Sequence, residues 1–171
     1  MRRALAYGLV AGLYFLASAE NIDLMVGGAD LGRHLRNGEG ILSGAAAPLL
    51  HTNYYSYTQP EFPFVNHHWL SGVVYHSLWK AFGFTGLHAI HLAFGATALL
   101  MFFRIAEREA GLGVASALAL LLMPILRARA SVRPEVFSFL LAGVFLTLLW
   151  RRSTRSLFVL PPLMALWVNL H

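Results

Sequence analysis

The sequence predicts an all-α integral membrane protein, a transmembrane helix bundle of about five spans with amphipathic interface helices in its first external loop. Of the 171 residues, 57% are apolar and only 12% are charged, whereas soluble domains carry about 25% charged residues. Five blocks contain no Asp, Glu, Lys or Arg, at 4–19, 81–103, 110–126, 136–150 and 156–171. The arginines stand at the ends of these blocks, where long basic side chains reach the membrane surface.

The same composition excludes several classes of function. Five apolar blocks exclude a soluble enzyme. The net charge is +5, but the basic residues form no patch interleaved with aromatic residues on a polar domain, so nucleic acid is not an expected partner. The chain has no cysteine, which removes disulfides and thiolate metal sites.

The first block predicts span 1 at 4–19. About 20 apolar residues cross a bilayer, with a lower limit of roughly 17, and flanking arginines extend a short block by reaching the surface. Arg2, Arg3 and the small residues at 17–19 also resemble a cleavable signal peptide. Whether the segment is a span or a signal peptide, the residues from 20 onward lie outside the cytoplasm.

The remaining blocks predict spans at 85–104, 111–126, 134–150 and 156–171, after an external loop at 20–84. Segment 67–82 mixes apolar residues at helical spacing with polar ones, so it either lies in the interface or crosses the membrane. If it lies flat, the basic residues inside are Arg2, Arg3, Arg104, Arg108, Arg151, Arg152 and Arg155. If segment 67–82 crosses the membrane, Arg151, Arg152 and Arg155 lie outside instead.

The positive-inside rule favours the flat helix. We therefore expect an integral membrane protein with a cytoplasmic N-terminus and an external loop at 20–84. Arg127, Arg129 and Arg133 then face outside, against the rule, and need a separate explanation.

The external loop holds five of the eight acids and five of the eight histidines. One interface helix is predicted near 30–44, with an apolar stripe formed by Leu31, Leu35, Ile41 and Leu42. Its opposite side is predicted to carry Asp30, Arg33, His34 and Asn37. An acid in the first turn is stabilised by the helix dipole, and a simple N-cap residue gives the same pattern. A second interface helix is predicted near 67–82.

Two further features are candidates for binding. Residues 51–70 combine prolines, hydroxyl groups and aromatic rings, which suits an ordered loop that stacks on a sugar or a lipid headgroup; generic interfacial tyrosines give the same pattern. His88 and His91 lie one turn apart within a predicted span, where ionisable residues are functional candidates. A metal or haem site there needs further ligands at matched depth, so we expect hydrogen-bonding histidines that line a cleft.

Five short motifs recur in one family. They are Asp-Leu-x-x-His-Leu-x-x-Gly-x-x-Ile at 30–41, Tyr-Ser-Tyr-Thr at 55–58, His-His-Trp-Leu at 67–70, Arg-Pro-Glu at 133–135 and Trp-x-Asn-Leu-His at 167–171. Together they resemble the N-terminal portion of the polyprenyl-phosphate-sugar dependent membrane glycosyltransferases of the GT-C fold. Members of the wider class often carry a second acid, but Leu31 follows Asp30 and Asn53 precedes Tyr54 here. A metal-bridged acidic pair is therefore not expected.

The resemblance implies a location in the bacterial inner (plasma) membrane. It also implies transfer of a sugar from a polyprenyl-phosphate-linked donor to an acceptor glycan, lipid or protein on the external face of the bilayer. Asp30 is the implied catalytic base, which takes a proton from the acceptor hydroxyl. The implied substrate-binding residues are His34, Asn53, Tyr57, His67, His68, Arg127, Arg129 and Arg133. The arginines would bind the lipid phosphate that leaves, although arginines that merely end a span give the same pattern. No residue is assigned to a metal, and the resemblance leaves a divalent cation open.

Two alternatives come from other classes of protein. One is a non-catalytic membrane subunit or transporter fragment whose external loop contacts a partner. The other is a histidine-rich metal oxidoreductase. Because the sequence stops inside its fifth apolar block, we expect the front part of a longer enzyme, inactive as these 171 residues alone. Further spans in the reading frame would support the enzyme, and a stop codon directly after His171 would favour the subunit.

Overall fold

The computed structural model describes residues 1–19, 29–151 and 153–171, and all regular secondary structure in these ranges is α-helical. The predicted all-α class is confirmed. The helices in the described ranges are α1 Arg2–Ala19, α2 Ala29–Leu42, α3 Ala46–His51, α4 Trp69–Ala128, α5 Glu135–Trp150, α6 Thr154–Leu157 and α7 Leu160–Leu170.

Two glycines divide the long helix α4 into three segments. Gly83 has φ 67° and Gly111 has φ 85°, a left-handed conformation that glycine adopts without a steric penalty. The segments are α4a (69–82), α4b (84–110) and α4c (112–128). At 1.5 Å per residue, α4b is about 40 Å long, which exceeds the roughly 30 Å hydrocarbon core of a bilayer.

The surface of α4 supports association with a membrane. Among the described residues, α4 is the one helix long and apolar enough to cross a bilayer, and only 17% of its most apolar stretch is buried. Its exposed side chains in α4c include Val114, Leu118, Leu120, Leu121, Leu122 and Ile125. A continuous apolar surface of this kind is unfavourable in water and is typical of contact with lipid or protein. The arrangement in five spans stays a prediction.

Helices α2 and α4a pack with their backbones in contact at two glycines. A Cβ atom on Gly38 would lie 2.6 Å from the carbonyl carbon of Gly72, and one on Gly72 would lie 2.8 Å from the carbonyl oxygen of His34. Side chains at either position would therefore separate the helices. Small residues at such contacts allow this close packing.

The orientation of α2 differs from the predicted one. His34 and Asn37 are each 2% exposed, whereas Leu42 is 58% exposed. The face around Gly38 packs against α4a, so the residues that flank Gly38 are enclosed together with Leu31 and Leu35. The prediction that all four polar residues lie opposite the apolar stripe is therefore wrong for His34 and Asn37.

The core consists of two clusters of buried residues. The first joins α2, α4a, α5 and α7, and its members include Leu31, Leu35, Tyr75, Val136, Phe137 and Leu170. The second packs α1 against α4b and α4c, and its members include Val10, Tyr14, Leu92, Ala96, Leu99 and Ala115. The first cluster holds α2 against α4a, α5 and α7.

The bundle has two chemically different ends. At the basic end, the Arg3 Nε atom lies 2.9 Å from Glu107 Oε1, and the Arg108 guanidinium lies 5.1 Å from the ring centre of Trp150. At the opposite end, the Trp69 indole nitrogen donates a 2.6 Å hydrogen bond to Asn169 Oδ1. Histidines gather at this second end, which we call the histidine end.

Candidate functional site

An acid and an imidazole lie in the first turns of α2 at the histidine end. The Asp30 carboxylate is 53% exposed and lies 3.4 Å from the Arg33 guanidinium. Exposed ion pairs of this length contribute little stability, so Asp30 is accessible and only loosely paired. His34 follows one turn later and is buried.

Four imidazole rings form a cluster beside this turn, and we call it the histidine cluster: His34, His67, His68 and His171. His68 is central, because its ring centre lies 3.9 Å from that of His67, 5.0 Å from that of His171 and 6.4 Å from that of His34. The rings of His68 and His171 are nearly parallel, at 17°. The cluster therefore joins α2, the start of α4a and the end of α7.

A serine on α5 holds the ring of His171 in place. Ser138 Oγ accepts a 2.7 Å hydrogen bond from the indole nitrogen of Trp167 and lies 2.7 Å from His171 Nδ1. Because a hydroxyl can accept one bond and donate another, Ser138 can satisfy both rings. With the Trp69 to Asn169 bond, this fixes the end of α7 against α4a.

His34 and His68 are neutral near pH 7. Burial lowers the pKa of His34 to about 4, and the nearby Arg33 guanidinium contributes to the same shift. Burial also lowers the pKa of His68 to about 4, with a further contribution from His67. A neutral imidazole offers one hydrogen-bond donor and one acceptor.

Two nitrogens of the cluster are buried without a partner. Nδ1 of His34 and Nδ1 of His68 make no hydrogen bond with the described part of the chain. Most buried polar atoms in proteins are hydrogen-bonded, so each exception requires an explanation. A polar ligand bound beside Asp30 would supply these bonds.

The described ranges do not provide a metal site. In residues 1–19, 29–151 and 153–171, no group of three or more His, Asp or Glu side chains has the geometry to hold a metal ion. In the histidine cluster one pair of rings is stacked, His68 with His171, and the rings of His67 and His34 are tilted against His68.

The other predicted site residues lie farther along the loop or in the turn after α4. Asn53 donates a 2.8 Å hydrogen bond to the carbonyl oxygen of Gln59 within the loop, and Tyr57 is 94% exposed. Arg129 lies 3.4 Å from both carboxylate oxygens of Glu135. Arg127 is exposed in the last turn of α4, and Arg133 is half-buried just before α5.

The turn at 129–134 contributes to the same core as α2. Val132 belongs to the same buried cluster as Leu31 and Leu35. Arg133 follows Val132 directly, and the closeness of its guanidinium to Asp30 stays a prediction.

Sequence reasoning missed several residues that shape the site. Tyr55 donates a 2.6 Å hydrogen bond to the buried Asn37 Oδ1, which fastens the loop onto α2. Tyr75 is 1% exposed and lies between His34 and Phe137, with ring centres at 6.0 and 5.4 Å. Ser138 gave no signal, because an isolated serine in an apolar helix has no distinctive spacing. From the sequence, Asn37 and Tyr75 could be recognised only as members of amphipathic helices.

Comparison of the chain with protein families, curated proteins and solved structures finds no match. The function is therefore argued from the geometry of the histidine end.

Proposed function

We propose that the protein is a membrane glycosyltransferase that moves a sugar from a polyprenyl-phosphate donor to an acceptor on the external face, with Asp30 as the base. One observation carries the proposal. An accessible carboxylate stands near two neutral imidazoles, the buried His34 and the half-buried His68, whose Nδ1 atoms lack partners among the described residues.

Sugars match this set of groups. Each sugar hydroxyl both donates and accepts hydrogen bonds, and so does each neutral imidazole. Two neutral imidazoles can therefore orient a sugar or acceptor hydroxyl without placing an unpaired charge in the cleft. The exposed aromatic rings Tyr54 and Tyr55, which pack edge to face with centres 5.2 Å apart, provide an apolar surface near the site.

The proposed reaction forms one bond and breaks one. The acceptor oxygen attacks C1 of the sugar and gives its proton to the Asp30 carboxylate. The bond between C1 and the phosphate oxygen breaks, and the lipid phosphate leaves with the electron pair. Arginines of the 129–134 turn stabilise this negative charge.

The proposed arrangement in the membrane has five spans, a cytoplasmic N-terminus and an external histidine end in a bacterial plasma membrane. The positions of the arginines support it. Arg3, Arg104, Arg108 and Arg151 come from α1, α4b and the end of α5, yet they line two adjoining clefts at the basic end. The positive-inside rule places such a group in the cytoplasm.

The test is an Asp30→Asn substitution in the protein encoded by the complete reading frame. Membranes that contain each variant are supplied with labelled polyprenyl-phosphate sugars and an acceptor extract, and transfer of the label is measured. Loss of a general base lowers the rate by about 100 to 10,000-fold. Expression and membrane insertion are expected to stay unchanged.

Glu39→Gln is the matched control. Glu39 lies on the same helix, is exposed, and pairs with Arg36 at the same three-residue spacing as Asp30 with Arg33. It lies more than two turns from Asp30, so transfer by this variant should equal that of the wild type. Wild-type transfer by Asp30→Asn protein, or no donor-dependent transfer by the wild type itself, would contradict the proposal.

A further inference from the structure

The basic end contains two adjoining clefts lined by shared arginines. One has a volume of about 320 Å³ and the other of about 510 Å³, and Arg104 and Arg108 line both. Arg3 lines the larger cleft and Arg151 the smaller. The clefts therefore form one continuous basic surface between α1, α4b and α5.

The charge of this surface is not balanced by acids within the described part of the chain. Four arginines and one acid line the two clefts, a net charge of +3. The single acid, Glu107, is already engaged by Arg3 at 2.9 Å and by the Tyr7 hydroxyl at 2.8 Å. Within the described residues, Arg104 and Arg151 form no ion pair with an acid, so they are available to an external anion.

The walls of the smaller cleft are mixed in character. Met101 and Ile105 provide apolar surface, and Trp150 packs beneath the Arg108 guanidinium with 5.1 Å between charge and ring centre. Tryptophan and arginine together are typical of the depth at which lipid headgroups meet acyl chains. A soluble anion would leave the apolar wall uncovered.

We propose that this cleft binds the phosphodiester of an anionic glycerophospholipid, with Arg104 as the central contact and Arg108 and Arg151 beside it. Basic pockets between membrane helices at the cytoplasmic side suit anionic headgroups. The acyl chains lie along Met101 and Ile105. The inference rests on the proposed membrane arrangement and is independent of sugar transfer.

The experiment measures lipid binding to the full chain, purified in a neutral detergent, by native mass spectrometry. Phosphatidylglycerol is titrated, and phosphatidylcholine serves as the zwitterionic comparison. Each surface arginine contributes about 1 kcal/mol to such binding, so Arg104→Gln is expected to weaken phosphatidylglycerol binding about 5-fold. Arg104→Lys keeps the charge and is expected to restore most of the affinity.

Arg36→Gln is the charge-matched control. Arg36 is exposed on α2, where it pairs with Glu39, away from the basic end. The same loss of one positive charge at Arg36 should leave lipid affinity unchanged. Equal weakening by Arg36→Gln and Arg104→Gln would show general electrostatic attraction and overturn the site.

Two further measurements distinguish a bound lipid from a free phosphate ion and control for misfolding of the variant. Inorganic phosphate that displaces phosphatidylglycerol at equal concentration would assign the cleft to a free anion, and equal binding of phosphatidylcholine would also overturn the proposal. Arg151→Gln, at an exposed position that ends α5, provides a second variant if Arg104→Gln loses its helical circular dichroism. Unchanged affinity in the folded variant would refute the assignment.

Discussion

The glycine contact between α2 and α4a gives the most direct test of the packing. We expect Gly38→Ala to destabilise the protein, although alanine usually stabilises a helix by roughly 0.5–1 kcal/mol relative to glycine. The new Cβ would lie 2.6 Å from both the Gly72 carbonyl carbon and His76 Cβ, whereas carbon atoms pack at about 3.5–4.0 Å. Backbone atoms on both sides force the helices apart by about 1 Å.

Overpacking of this kind costs about 1–3 kcal/mol. Since rigid backbone is involved, we take the upper part of that range and subtract the gain in helix propensity, which leaves a loss of about 2 kcal/mol. The control is Gly32→Ala on the same helix, where nothing lies within 4 Å of the new Cβ. This control is expected to gain about 0.5–1 kcal/mol.

The assay is unfolding in mixed micelles with increasing sodium dodecyl sulfate, followed by circular dichroism. The two alanine variants should differ by about 3 kcal/mol, in opposite directions from the wild type. A Gly38→Ala protein as stable as the Gly32→Ala protein would refute the close contact of the two backbones.

Three other predictions concern the topology in sealed membranes, a contact of the loop and the pH dependence of stability. Ser43→Cys and Ser153→Cys, both at exposed positions in a chain without cysteine, should react with an impermeant thiol reagent from the outside and the inside respectively; equal reaction of both from outside would contradict five spans. Tyr55→Phe removes the 2.6 Å hydrogen bond to Asn37 and should cost about 1–2 kcal/mol in the unfolding titration; an unchanged midpoint would show that Asn37 finds another donor. Burial lowers the pKa of His34 from 6.5 to about 4, so the unfolded chain binds more protons between these pH values and stability should rise with pH across this window. His34→Gln should reduce that slope, and an identical slope would assign the effect elsewhere.

The fold class was predictable because the composition and the positions of the charged residues indicate whether a chain folds in water or in a membrane. Apolar blocks ended by arginines indicate helices, and no other regular structure occurs in the described ranges. The first and last residues of the helices were less predictable. Helix α4b continues to residue 110, past the predicted end of span 2 at 104, because Glu107 is engaged by Arg3 and Tyr7 at the end of the bundle. Helix α7 begins at Leu160, since Pro161 and Pro162 are favourable in a first turn.

The candidate site was predictable only in part. Spacing placed Asp30 and His34 on one helix, and adjacency paired His67 with His68. The contact of His68 with His171 joins residues about a hundred positions apart, and it depends on how α7 packs against α5 through Ser138 and Trp167. No local pattern encodes such a contact. The burial of His34 likewise depends on tertiary packing at the Gly38 and Gly72 contact, which one helix alone does not reveal.

The two glycine breaks in α4 determine which chirality of amino acid fits at residues 83 and 111. No atom lies within 4 Å of a Cβ built on Gly83 or Gly111, so only the backbone torsion excludes other residues there. Gly83 has φ 67° and ψ −172°, a region that is almost exclusive to glycine among L-residues. Its mirror image is ordinary extended backbone. A D-alanine introduced at residue 83 by chemical ligation would therefore adopt this torsion without strain, and it would restrict the unfolded chain more than glycine does. At these two junctions the fold requires a positive φ, and an amino acid of opposite chirality would adopt it more readily than any encoded residue other than glycine.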